Sequence, residues 1–202
     1  MNIKKTFNLF INFAIKRLAE IFGIIIFATG TMLLIALITY SPEDPNFIFP
    51  DNTEIKNLLG FQGSFVSDLF FQSVGLISYL ISFSFIITGI NILRIKEFFL
   101  IIENTFFTII YCLFGTLFFA HFHHKGFALY INGNGGFIGN YLNQTFLNSL
   151  IQINENIFYY ILIVLILFLF LVSINFNPIN FYLFLKKLKN LFLKNKEKNY
   201  TD

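Results

Sequence analysis

Three histidines fall within four residues in the stretch "AHFHHKG": His121, His123 and His124. Imidazole is the commonest metal ligand, but a tetrahedral metal site needs three or four converging donors. Neighbouring positions on a helix diverge by about 100°, and no carboxylate or cysteine stands near these histidines in the sequence. A polar segment at a membrane interface is the favoured reading. Glu103 is the second candidate, because it is the one acid placed inside an apolar run and acids within the membrane are functional by default. Arg94, Lys96 and Glu97 lie one to two turns away, which favours a side chain reaching the membrane surface. Cys112 is the sole cysteine, so an internal disulfide and a cysteine-based metal cluster are both excluded. None of these residues assembles an acid, a base and a nucleophile.

The elements that position them are set by composition. The 202 residues are 56% hydrophobic and 12% charged, with a mean hydropathy of +0.70. A soluble domain of this kind would lack the polar surface to cover itself. Phenylalanine occurs 31 times and tryptophan not at all. With Ile, Asn and Lys also recurrent, this is a compositional bias of the sort AT-rich coding produces, and it carries no functional weight.

Four apolar runs, 21–40, 69–93, 98–120 and 157–174, are predicted to be membrane-spanning helices. Twenty helical residues reach about 30 Å, the thickness of the hydrocarbon layer. The first run is too long for a signal-peptide core and no small-x-small cleavage site follows it, so it reads as a retained anchor. Lys4, Lys5, Lys16 and Arg17 precede it, Arg94 and Lys96 join the second and third spans, and Lys186, Lys187, Lys189, Lys194, Lys196 and Lys198 follow the fourth. Of the 14 basic residues only Lys56 and Lys125 fall in the other loops. The positive-inside rule then predicts both termini in the cytoplasm and segments 41–68 and 121–156 outside.

The expected fold class is all-α: a polytopic membrane protein of four transmembrane helices in two pseudo-repeated hairpins. Residues 1–18 form a cytoplasmic segment, 19–175 the membrane domain, and 176–202 a basic amphipathic tail or the start of a linker, suited to an anionic membrane surface. Helices in lipid associate through small residues. Thr105, Thr108, Cys112, Gly115 and Thr116 form such a stripe on the third span, the second carries Ser78, Ser82, Ser84, Thr88, Gly75 and Gly89, and the first Gly23 and Gly30. The fourth offers only Ser173. The first three spans are therefore predicted to contact one another closely, leaving the fourth most exposed to lipid.

The outer loops share a design. "GFQG" at 60–63 and "GFIG" at 136–139 each precede a mixed apolar and polar stretch leading into a span. Two glycines three apart allow a tight turn and close backbone approach, and short outer helices shielding the bundle would fit that pattern. The first span ends in "TYSPEDPNF". Tyr40 suits the membrane interface, and Pro42 and Pro45 disfavour helix at the residues before them. Glu43 and Asp44 are then expected to stand free in water.

Tyr40, Ser41, Pro42, Asp44 and Pro45 directly after a first span, followed by Gly60, Gly63, Asp68, Gly75 and Tyr79 leading into a second, resemble the N-terminal four-span membrane region of the FtsK/SpoIIIE family of bacterial DNA translocases. The glycine-rich "GGFIG" with Gly136 and Gly139 resembles the family's segment before its fourth span. The likeness covers roughly 19–175. It departs at Phe47, near where many relatives carry tryptophan. It departs further in having no G-x-x-x-x-G-K-[ST] and no Gly-Lys dipeptide, so ATP hydrolysis and DNA translocation are not assigned to these residues. A fragment of a longer translocase and a shortened anchor with a separately encoded motor both fit.

The resemblance implies a membrane anchor in the bacterial inner membrane at the division septum, serving cell division and chromosome segregation through protein contacts, with no bond chemistry. Implied partners are the lipid bilayer, divisome membrane proteins and further copies of itself, a hexamer when a motor is attached. No cofactor and no direct nucleic-acid binding are expected. The rival reading is a small four-span transporter or channel subunit with Glu103 and the small-residue stripe lining a path, although transport usually uses several intramembrane polar or charged groups.

Overall fold

The structure is a computed structural model and describes residues 3–45, 54–124, 131–179, 182–183 and 186. Among the described residues every regular element is helical: α1 (Ile3–Ile38), α2 (Gly60–Val74), a 3-10 turn (Gly75–Ile77), α3 (Ser78–Ile95), α4 (Phe99–Phe122), α5 (Gly136–Asn143), α6 (Phe146–Ile153) and α7 (Glu155–Ser173). Among these residues four stretches are long and apolar enough to cross a membrane: within α1, from α2 through α3, α4, and α7.

The chain forms two hairpins of like plan. α1 packs along α3, with α2 between them in sequence, and α4 packs along α7, with α5 and α6 between. The hairpins meet where α3 lies on α4 and where α2 lies on α5. The bundle has a basic end, where Lys96 in the α3–α4 turn is 2.6 Å from Glu20 and Arg17 is 2.5 Å from the same carboxylate. The opposite, corner end carries α2, α5 and α6.

Glycine spacing decides the closeness of the first hairpin. A Cβ on Gly30 would lie 2.8 Å from the Ile86 nitrogen, and one on Gly89 would lie 2.6 Å from the Phe27 nitrogen. Backbones this close are what small residues permit when no water drives helices together. The main core runs through Leu33 and Leu37 of α1, Phe71 of α2, Ile81 of α3, Tyr111 and Phe118 of α4, and Leu162 and Ile166 of α7. α7 is the least buried of the long helices, in line with its composition.

Several expectations are corrected. The first and third spans do not pack along one another: each packs on the second, and they meet through the main core and through the small cluster of Ala19, Ile92 and Leu100 at the basic end. The second span is not one helix from 69, because Gly75 adopts φ 66° and ψ −146° and breaks it. α1 has 36 residues and so reaches about 54 Å, well beyond a bilayer core. Among the described residues the first loop builds one short helix, α2, whereas the second builds two, α5 and α6. Most of the basic tail, with Lys125 and Phe47, lies outside the described residues.

Candidate functional site

The corner after α1 is a carboxylate-centred clamp. Pro42 and Pro45 stop the helix, a turn forms in which the Asp44 N–H donates to the Ser41 carbonyl at 3.2 Å, and the Asp44 side chain points inward. Asp44 is 1% exposed. Its Oδ1 accepts from the Lys56 N–H and its Oδ2 from the Asn57 N–H, each at 2.9 Å. The expectation that this carboxylate stands free in water is therefore overturned. Charged acceptors make the stronger hydrogen bonds, and here they pin the far side of the loop to the end of α1. Asn57 completes the joint: its Nδ2 donates to the Ala36 carbonyl at 2.9 Å and its Oδ1 accepts from the Leu59 N–H at 3.1 Å. Ser64 Oγ donates to the Pro45 carbonyl at 2.8 Å. Of the two carboxylates, Glu43 is the one that reaches solvent, 2.5 Å from Lys56 Nζ, and that hydrogen bond holds its carboxyl below the usual range.

Beneath the clamp the motif residues join in a polar chain across both hairpins. The Tyr40 hydroxyl donates to Asp68 Oδ1 at 3.1 Å. Tyr40 is half-buried, its ring edge-on to Phe71 at 4.8 Å, so its part is structural contact within the protein. Gln72 Nε2 lies 3.5 Å from the same Asp68 oxygen. Asn132 Nδ2 lies 3.1 Å from Gln72 Oε1, and Asn140 Nδ2 donates to the Asn132 carbonyl at 2.8 Å. Asp68 itself is buried.

The paired glycine motifs act alike. Gly60 and Gly136 open α2 and α5 with φ of 66° and 65°, a left-handed conformation glycine takes without strain. The second glycine of each pair permits close approach: a Cβ on Gly63 would sit 2.2 Å from Asn57 Oδ1, and one on Gly139 would sit 2.3 Å from the Thr116 carbonyl oxygen.

Deeper in the bundle lies a polar seam that the residue pattern placed only in part. Ser84 Oγ is 2.8 Å from the Tyr111 hydroxyl and 3.3 Å from Ser173 Oγ, tying α3 to α4 and α7. Asn104 Nδ2 donates to Thr88 Oγ1 at 2.9 Å, and Asn91 Nδ2 to the Ile174 carbonyl at 2.9 Å. Thr108, Cys112, Gly115 and Thr116 are buried as expected, but Thr105 is exposed and Asn104 takes the inward position. The missed signal was the spacing of Asn104, Thr108, Tyr111 and Gly115, which is the 3.6-residue period of one helix face.

The candidate chemical residues are not brought together. His121 Nδ1 is 3.0 Å from Asn143 Oδ1 and its Nε2 is 3.9 Å from Glu155 Oε1, so a carboxylate does stand beside it, supplied by α7 rather than by the local sequence. The His123 ring instead lies near Phe118 and Tyr159. Among the described residues no three His, Cys, Asp or Glu side chains converge as a metal site. Glu103 is exposed near the start of α4.

Four helices long and apolar enough to span a membrane, tied together by polar side chains, define a class: a multi-pass helical membrane domain. A family model for the 4TM region of DNA translocase FtsK/SpoIIIE matches residues 15–183, and the chain belongs to that family. No curated protein and no solved structure matches it.

Proposed function

We propose that this chain is the membrane anchor domain of an FtsK-like DNA translocase, working in cell division and chromosome segregation by localising to the septum and contacting divisome membrane proteins. The family match over residues 15–183 carries the reading. The corner supports it, because the residues that bear the resemblance, Tyr40, Asp44 and Asp68, are spent on holding the corner end of the bundle in shape. The anchor lies in the bacterial inner membrane and assembles with further copies of itself, as a hexamer where a motor is attached. Both termini are cytoplasmic in this reading, since Arg17 and Lys96 meet on Glu20 at one end of the bundle, where Arg94 lies in the last turn of α3, and basic residues favour the cytoplasmic side.

A fluorescent protein fused to the carboxyl end tests both parts. Bright cytoplasmic-side fluorescence, an inactive alkaline phosphatase fusion at the same position, and a band at the constriction of dividing cells are the expected results. Fluorescence spread evenly around dividing cells would overturn the septal role, and an active phosphatase fusion would overturn the orientation.

A further inference from the structure

α6 leaves an apolar stripe uncovered. At about 100° per residue, Leu147 and Ile151 share one flank and pack against the core. Phe146, Leu150 and Ile153 share the adjoining flank and are 72%, 42% and 76% exposed. The remaining side carries Asn148, Ser149 and Gln152, and the helix has no charged residue. Its position is fixed by the helix after it. Asn154 ends α6 and caps α7, accepting from the Ile157 N–H at 3.3 Å. α7 has 19 residues, about 28 Å, which only just spans the hydrocarbon layer. Its first turn must therefore sit at the membrane surface, and α6 is held there with it.

We infer that α6 lies in the plane of the membrane with Phe146, Leu150 and Ile153 inserted into the lipid of the leaflet at the corner end. The occupant is lipid because the stripe continues an interface the fold already has: two residues beyond Ile153 begins α7, whose Ile157, Tyr160 and Val164 are exposed on the lipid-facing surface of a membrane-spanning helix. An amphipathic helix without charge binds through apolar area rather than through attraction to anionic headgroups. α6 thus acts as a float that sets the depth of the α4–α7 hairpin, a role that does not depend on the division reading.

The chain has no tryptophan, so a single introduced one reports its surroundings without background. The full chain would be reconstituted in vesicles as Leu150→Trp, Phe146→Trp and Gln152→Trp, with and without lipids brominated near the top of the acyl chain. The first two are expected to emit to the blue of Gln152→Trp and to be quenched several-fold more by bromine. Red-shifted, unquenched emission from both would place the stripe in water and overturn the inference. Blue-shifted but unquenched emission would show a protein covering it, a second copy or another partner, and would overturn it equally. Two substitutions on the stripe guard against one that disturbs folding.

Discussion

Gly75 and Gly136 meet backbone to backbone where the two hairpins join. A Cβ on Gly75 would fall 1.9 Å from the Asn134 carbonyl oxygen and 2.8 Å from the Gly136 nitrogen, and one on Gly136 would fall 2.6 Å from the Gly75 nitrogen. The Leu76 N–H donates to that same Asn134 carbonyl at 2.9 Å. Both glycines have positive φ, 66° and 65°. The corner thus depends on two residues without side chains, one from each repeat.

Gly75→Ala and Gly136→Ala are each expected to destabilise the domain by about 3 kcal/mol or more, since backbone strain and a clash with backbone add. Gly60 has the same φ but nothing within 4 Å of its missing Cβ. Gly60→Ala should then cost only the left-handed penalty, about 1–2 kcal/mol. Thermal unfolding in detergent, comparing the three variants, separates clash from strain.

Asp44→Ala would leave the Asn57 amide unpaired in a buried place and the Lys56 amide unpaired in a partly buried one, at a cost of about 1–4 kcal/mol. Hydrogen exchange at those two amides should accelerate strongly, while amides in the middle of α4 hold. Asp44→Asn keeps one acceptor oxygen, so exchange should rise mainly at one of the pair. Equal, small changes in both variants would mean that the carboxylate is not the clamp.

Tyr40→Phe removes the hydroxyl set on Asp68 Oδ1 at 3.1 Å, an expected loss of about 1–3 kcal/mol. Asp68→Asn should cost less in the Tyr40→Phe background than in the native chain. A double-mutant cycle on unfolding measures that coupling, and strict additivity would count against a direct interaction.

Glu43 and Lys56 form an exposed ion pair that lowers the Glu43 pKa and raises that of Lys56. A depressed carboxyl contributes stability above its unfolded pKa and loses it as pH falls through the folded one. A raised lysine contributes below its unfolded pKa and loses it as pH rises through the folded one. The pair is therefore whole at neutral pH and lost at both extremes. Carboxyl titration by NMR should place Glu43 below the ordinary range, and Lys56→Gln should return it there. Because the pair is exposed, high salt should weaken it and stability at neutral pH should barely change.

Much of the architecture was legible because hydrophobic length is a local property. α4 and α7 fall within two residues of the runs read at 98–120 and 157–174. Gly30 and Gly89 could be read as contact residues because only small side chains let helices touch in lipid. The repeat "GFQG" and "GFIG" was visible as letters, and its two glycine roles recur in both copies. What escaped was direction. Proline at 42 and 45 says that a helix stops, but not that Asp44 then turns inward, because its partners are backbone amides at 56 and 57 that carry no sequence signature.

The sequence by itself determined that four apolar stretches seek the membrane and sorted the basic residues between the connecting segments, since both follow from the transfer cost of each side chain taken singly. Only the tertiary structure decided that α1 and α4 flank α3, that Glu155 stands beside His121, and that Gly75 closes on Gly136. Those are pairings between distant parts of the chain, and which surfaces meet depends on shape and backbone approach that no one segment contains.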